Sequence, residues 1–99
     1  MKKSNNNKIN ITKQLKNKTV LVTGGAGSIG SALAKKILEY PVKTVRVLDI
    51  NEHSLFQLNR SINDSRLRLL LGSVTDKERI EMAVNKVDII FHLAAVKNI

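Results

Sequence analysis

Apolar residues follow two different spacings, which alternate along the chain. Four short runs are rich in aliphatic or β-branched residues, and the run at 19–23 consists only of them, as in a strand that is buried on both faces. Between these runs, apolar residues recur every three or four positions, which places them on one face of a helix. The predicted strands are 19–23, 44–49, 66–71 and 87–93. The predicted helices are 28–40, 54–62 and a third that starts at Thr75 or Asp76 and continues to residue 85.

Strands and helices alternate without a hairpin signal between any two strands. Parallel strands joined by right-handed helical crossovers are the expected result, and the fold class is therefore α/β. With the usual doubly wound connectivity, the strand order would be 3-2-1-4 with helices on both faces of the sheet. The sequence thus predicts part of a doubly wound parallel sheet with about four strands.

A glycine-rich loop joins the first predicted strand to the first predicted helix. Gly24, Gly27 and Gly30 follow a G-x-x-G-x-x-G spacing, a close variant of the dinucleotide fingerprint of Rossmann domains. We expect Gly24 to form the tight turn, Gly27 to clear space for a pyrophosphate, and Gly30 to let the helix pack close to the strand. The amides near Ser28 and Ile29 would then face the phosphates at the positive end of the helix.

Asp49 ends the second predicted strand, 19 residues after Gly30. A carboxylate at this place accepts hydrogen bonds from the adenosine ribose, and its charge repels a 2′-phosphate. NAD is therefore favoured, while NADP stays open because a basic residue elsewhere could compensate. The alternative interpretation of Asp49 is a cap for the following helix.

The composition limits the classes of protein that need to be considered. The 99 residues suffice for one domain, and 42% of them are hydrophobic. There is no cysteine and there are only two histidines, so we predict no metal site. No apolar stretch reaches the roughly 20 residues that cross a bilayer, and no secretory signal is present. We therefore expect a cytoplasmic protein.

The net charge of +9 is concentrated at the start of the chain. Residues 1–18 carry six lysines and no acid. We interpret 1–17 as a flexible basic leader, with room for a short turn of structure near Ile9 to Leu15, and 18–99 as the folded domain. The leader contains no aromatic residue for base stacking, so a basic nucleic-acid-binding protein is the weakest alternative.

Four segments together resemble the extended short-chain dehydrogenase/reductase family, and its polysaccharide-biosynthesis branch in particular. That branch contains the UDP-N-acetylglucosamine 4,6-dehydratases and related capsule and flagellar-sugar enzymes. The similarity extends from residue 18 to residue 99. The segments are VTGGAGSIGS at 22–31, LDINEHSLFQL at 48–58, LLGSVTDKERI at 70–80 and VDIIFHLAAVKNI at 87–99.

The resemblance implies roles for eleven residues around a dinucleotide. The glycine loop would hold the pyrophosphate, Asp49 the ribose, the residues after strand three the adenine, and the small residues after strand four the rest of the cofactor. Ser73 stands where the family often has an acid, and Asn98 follows Lys97 where the branch usually has a histidine. The implied set is Gly24, Gly27, Ser28, Ile29, Gly30, Asp49, Ser73, Val74, Leu93, Ala94 and Ala95.

Catalysis in this family uses a Tyr-x-x-x-Lys pair on later elements, and the chain does not contain one. Its only tyrosine is Tyr40, and Thr44 stands four residues later. We therefore predict no catalytic residue in this chain, which would be the dinucleotide-binding portion of a nucleotide-sugar dehydratase or epimerase without its catalytic and sugar-binding parts. His92 is expected to be a buried, hydrogen-bonded residue and not a catalytic one.

Two further expectations concern partners. A free-standing NAD-binding or regulatory module is the alternative to part of an enzyme; it would share the site and bind NAD without a partner chain. A fourth strand at the edge of the sheet would be apolar and unpaired, so we expect a homo-oligomer formed through this edge. Neither specific nucleic-acid binding nor a membrane span is expected.

Overall fold

The strands and helices of the computed structural model alternate as the apolar pattern predicts, and the structure describes residues 10–94. The strands are β1 (Thr19–Thr23), β2 (Thr44–Asp49), β3 (Leu67–Leu71) and β4 (Ile89–His92). The helices are α1 (Ser28–Ile37), α2 (Glu52–Ser61) and α3 (Lys77–Val84). A short helical segment at residues 10–15 precedes β1.

The four strands form one parallel sheet in the order β3-β2-β1-β4. This confirms the predicted α/β class and the predicted 3-2-1-4 order. The helix ends differ from the prediction by at most three residues. The helix α1 ends at Ile37 instead of residue 40, because the amides of Glu39 and Tyr40 bond three residues back, to Lys36 and Ile37, and close a tighter turn.

The central strand β1 is buried along its whole length. Alternate residues of β1 and β2 pack under α1 and α2, where Val20, Val22, Val45 and Val47 are fully buried. The opposite face has a smaller cluster, in which Leu21 and Leu48 pack with Ala83 of α3. Because side chains alternate across a strand, only a strand covered on both faces is apolar at every position.

Arg46 connects the sheet to the C-terminal end of α3. Its Nη1 donates to the carbonyl oxygens of Ala83 at 3.0 Å and Asn85 at 2.7 Å. The last turn of α3 has no basic residue of its own. A guanidinium from β2 therefore satisfies the exposed carbonyl groups and opposes the negative end of the helix.

The segment before β1 packs against the domain earlier than predicted, since the leader was expected to extend through residue 17. Leu15 belongs to the apolar core and is 8% exposed. The Asn17 amide donates to the carbonyl of Pro41 at 2.9 Å. The short turn expected near Ile9 to Leu15 is thus present as helix at residues 10–15, and Leu15 packs it against the core. Residues 1–9 lie outside the described part.

Arg66 and Asp64 form an ion pair beneath the end of α1. The Arg66 guanidinium donates to both oxygens of Asp64, at 3.0 Å and 2.8 Å, and also to the carbonyls of Leu38 and Tyr40. Hydrogen bonds from the Arg66 side chain and amide lower the pKa of Asp64 from 3.8 to about 2. The pair therefore joins the segment before β3 to the end of α1.

We expect this pair to make stability depend on acid pH. Because the folded pKa of Asp64 lies below its usual value, the ion pair's contribution to the free energy of unfolding is complete above pH 4. This contribution is lost as pH falls towards 2. With solvent screening of the partly exposed pair, the loss is about 1 kcal/mol. Urea unfolding of wild type and Asp64→Asn between pH 5 and pH 2 measures it. A difference between the two proteins that does not shrink with acid would contradict the assignment.

Candidate functional site

A cavity of about 340 Å³ opens at the carboxyl ends of the strands. Parallel α/β sheets bind ligands at this edge, where the chain order of the strands reverses. Here the reversal lies between β1 and β4, which are neighbours in the sheet but separated by β2 and β3 in sequence. The lining residues are Gly24, Leu48, Asp49, Ile50, Gly72, Ser73, Val74, Thr75, Leu93 and Ala94.

Six of the predicted site residues meet in this cavity. The sequence placed Gly24 after β1, Asp49 after β2, Ser73 and Val74 after β3, and Leu93 and Ala94 after β4. The fold brings the four chain segments together because all four strands are parallel and end at one edge. Leu48, Ile50, Gly72 and Thr75 also line the cavity, and sequence reasoning missed them although each is adjacent to a predicted residue.

Gly24 makes the tight turn that the spacing predicts. Its φ is +72°, a left-handed conformation that strongly favours glycine. Its amide donates to the carbonyl of Leu48 at 2.7 Å. A Cβ atom on Gly24 would lie 2.7 Å from the amide nitrogen of Ala94. Glycine is thus required at this position both by the backbone conformation and by the close approach of the chain after β4.

Gly30 permits a close approach, but to a different partner from the one expected. A Cβ atom here would lie 2.3 Å from the Cα of Gly25 and 2.5 Å from the carbonyl oxygen of Gly24. The first turn of α1 therefore packs on the backbone of the loop, whereas the spacing had suggested the strand. Gly25 was missed as well: a Cβ atom on it would lie 2.8 Å from Val47 Cγ1.

Gly27 differs from the other loop glycines because no packing against residues 10–94 requires it. The atom nearest to a Cβ here is the Gly24 carbonyl oxygen, at an ordinary 3.9 Å, and φ is −72°. Gly27 is the N-cap of α1, and no side chain caps that helix. By contrast, Asn51 and Asp76 cap α2 and α3 with their side chains. The space above Gly27 and the amides at the start of α1 are therefore open.

Of the predicted pyrophosphate residues, Gly24 alone lines the main cavity. Gly27 and Ser28 line a second, shallower depression between the loop and α2. Ile29 is 77% exposed. The rest of this depression is formed by Ala26, Ser31, Ser54, Gln57, Leu58 and Ser61.

Asp49 connects the two depressions through its carboxylate. One oxygen accepts the amide of Ala26 at 3.1 Å, and the other accepts the amide of Asn51 at 2.9 Å. Each oxygen keeps a second lone pair for a ligand. The alternative interpretation of Asp49 as a helix cap is wrong, because the Asn51 side chain caps α2 by accepting the amide of Ser54 at 2.9 Å. Sequence reasoning did not foresee that the carboxylate also holds the glycine loop.

The turn after β3 has hydroxyl groups where the family pattern often has a carboxylate. Ser73 and Thr75 hydroxyls lie 2.7 Å apart, and the Thr75 amide donates to Ser73 Oγ at 3.1 Å. The Gly72 amide donates to the carbonyl of Asp49 at 2.9 Å. This rim of the cavity is therefore polar and uncharged.

His92 is hydrogen-bonded as expected, but it is exposed and not buried. Its Nδ1 lies 2.6 Å from Thr23 Oγ1. The exposure arises because β4 is an outer strand of the described sheet.

Ala95, Lys97 and Asn98 lie outside the described residues. Within residues 10–94, no helix has the length and apolar character needed to cross a bilayer.

Comparison with known proteins places these features in a family. A family model described as polysaccharide biosynthesis protein matches residues 20–99. The chain is 49% identical over 84 residues to an uncharacterized membrane protein of Methanocaldococcus jannaschii, covering 85% of this chain and 25% of that protein. It is 35% identical over 83 residues to the inverting UDP-N-acetylglucosamine 4,6-dehydratase of Campylobacter jejuni, covering 83% of this chain and 25% of that enzyme.

A solved structure shares both the fold and part of the sequence. The Bordetella bronchiseptica enzyme WbmF, in complex with NAD⁺, superposes with a TM-score of 0.68 at 31% identity, covering 84% of this chain and 24% of WbmF. The same enzyme has been solved with NAD⁺ and UDP and with NADH. The chain spans about a quarter of the length of the relatives that it matches.

Proposed function

Because the chain belongs to the polysaccharide biosynthesis protein family, we propose that it is the dinucleotide-binding portion of a nucleotide-sugar dehydratase or epimerase. The observation that carries the proposal is the edge cavity, in which Asp49 and the turns after β1, β3 and β4 meet beside an uncapped helix. Relatives named for action on a UDP-sugar, and a neighbour solved with NAD⁺, support it.

In this proposal each part of the site binds one part of NAD. The amides at the start of α1, near Ser28 and Ile29, bind the pyrophosphate above Gly27. The Asp49 carboxylate accepts the ribose hydroxyls through its remaining lone pairs. The adenine lies against Ser73 and Val74, and the segment after β4, with Leu93 and Ala94, borders the nicotinamide half.

Gly27 provides the sharpest test of the proposal. Among the described residues, a Cβ on Gly27 would meet only the Gly24 carbonyl oxygen, at 3.9 Å, so Gly27→Val should leave the fold intact while placing a side chain where the pyrophosphate is proposed to lie. We expect wild type to bind NAD in calorimetric titration, and Gly27→Val to bind at least about tenfold more weakly, a loss of roughly 1.4 kcal/mol. Its unfolding midpoint in urea should remain close to that of wild type.

The same titration has two results that would overturn the proposal. One is no heat of binding for wild type at about 1 mM NAD, which corresponds to roughly −4 kcal/mol. The other is equal NAD affinity in wild type and Gly27→Val. Titration with UDP-N-acetylglucosamine is the control: we expect no binding, because the proposal gives this chain the dinucleotide-binding portion alone.

We also propose that the chain self-associates through β4. Within residues 10–94, β4 pairs only with β1, and Ile90 is 50% exposed. An apolar strand with a free edge favours pairing with a second copy. Sedimentation at tens of micromolar, roughly the range of weak protein dimers, should show a dimer in wild type and a monomer in Ile90→Lys. A wild-type monomer at that concentration would rule out the dimer.

A further inference from the structure

A buried hydroxyl and an exposed imidazole join the ends of two neighbouring strands. Thr23 is the last residue of β1 and is 2% exposed, and His92 is the last residue of β4. Their side chains meet at 2.6 Å between Oγ1 and Nδ1. The two residues are also in register, and the amide of Leu93 donates to the Thr23 carbonyl at 2.9 Å.

The residues that follow this pair form one wall of the cavity. Gly24 follows Thr23, Leu93 and Ala94 follow His92, and all three line the cavity. The two segments touch so closely that a Cβ atom on Gly24 would lie 2.7 Å from the Ala94 amide nitrogen. The width of the cavity between β1 and β4 therefore depends on how these strand ends are held.

We propose that Thr23 and His92 act together as positioning residues that hold the β1 and β4 ends at the spacing that NAD requires. This inference rests on the proposed function, since it assigns a role in binding the same cofactor. Neither side chain lines the cavity, so the pair acts through Gly24, Leu93 and Ala94. His92 is thus a positioning residue and not a catalytic one.

The hydrogen bond accounts for the choice of both residue types. Either atom can donate, depending on the tautomer of the ring. A leucine at position 92 would leave the buried Thr23 hydroxyl without the His92 Nδ1 partner, which is unfavourable. The strand ends would then separate until water reached the hydroxyl. Since Gly24 follows Thr23 directly, the turn at Gly24 would move with the strand ends.

Variants at position 92 separate the hydrogen bond from mere packing. Asparagine places its amide group near the position of Nδ1, whereas glutamine extends the amide by one methylene towards the position of Nε2. We expect His92→Asn to keep NAD affinity within about twofold of wild type, and His92→Gln and His92→Leu to lower it about tenfold, the effect of losing one partly buried hydrogen bond. Calorimetry measures these affinities.

Variants of Thr23 provide a set that matches the variants of His92. Thr23→Ser keeps the hydroxyl and should bind NAD like wild type. Thr23→Val is nearly isosteric, lacks the hydroxyl and should match His92→Leu. In a double-mutant cycle, Thr23→Val combined with His92→Leu should lower affinity no further than either change alone, because both remove one interaction. Additive losses would overturn the proposal.

Amide hydrogen exchange distinguishes failure of this inference from failure of the proposed function. The amides of Gly24 and Leu93 should exchange about tenfold faster in His92→Leu than in wild type, with His92→Asn close to wild type. If wild type does not bind NAD, the proposed function fails and the cofactor role of the pair fails with it, while exchange still shows whether the pair holds the strand ends. If wild type binds and all variants bind equally, only the positioning role is overturned.

Discussion

Replacing Gly30 with alanine is expected to destabilise the fold by about 3 kcal/mol, at the upper end of what overpacking costs. The added Cβ would lie 2.3 Å from the Cα of Gly25 and 2.5 Å from the Gly24 carbonyl oxygen. Both are backbone atoms, so no side-chain rotation relieves the overlap. The first turn of α1 must move away from the loop, and Gly24 is held in turn by its hydrogen bond to Leu48. Urea unfolding measures the loss.

Gly27→Ala is the matched control, because it adds the same methyl group three residues earlier in the same loop. A Cβ on Gly27 is in ordinary contact at 3.9 Å, and the cost should stay below about 1 kcal/mol, the difference between these residues at a helix N-cap. Equal destabilisation by the two changes would show that loss of glycine flexibility, and not the contact with Gly25, decides the effect.

Replacing Asp49 with asparagine is expected to weaken NAD binding about tenfold or more, a loss of at least roughly 1.4 kcal/mol. Both carboxylate oxygens accept backbone amides, from Ala26 and from Asn51. An asparagine side chain can serve only one of these amides, since its NH₂ group would face the other donor. The glycine loop therefore loses a contact together with the proposed ribose ligand. Selectivity should change too, because the charge that repels a 2′-phosphate is gone, and the ratio of NAD to NADP affinity should fall.

Glu52→Gln is the control for net charge, since Glu52 is an exposed acid in the first turn of α2 and close in sequence. It should leave NAD affinity, the NAD to NADP ratio and the urea midpoint close to the wild-type values. If Asp49→Asn and Glu52→Gln had equal effects, the general electrostatic field would be responsible, and the position of the Asp49 carboxylate would have no particular role.

The glycines of the loop serve separate purposes that the spacing alone does not distinguish. Gly24 and Gly30 are required by the chain itself, through backbone conformation and close contact. Gly27 has no such requirement within the described residues, and we assign it to the proposed pyrophosphate site. A mutational series across the three positions therefore separates folding from binding at one loop.

Much of the fold could be predicted because its signals are local. Whether a residue lies in a buried parallel strand depends on an uninterrupted apolar run, and β1 was predicted with its exact bounds, 19–23. The helix ends were less predictable, since a cap or a tighter last turn involves single hydrogen bonds that several neighbouring residues could make. Asn51, for example, begins α2 two residues earlier than the apolar spacing indicates.

The sequence by itself determined the alternation of strands and helices, the parallel order of the sheet and the places where candidate ligand-binding residues follow strands. These depend on side-chain periodicity and on the handedness of crossovers, which apply to any chain with this pattern. Only the tertiary structure decided that Gly30 packs on Gly25, that Asp49 holds the glycine loop and that Thr23 pairs with His92. Such contacts join residues up to 69 positions apart, and their geometry is set by how the packed elements meet, which no local pattern records.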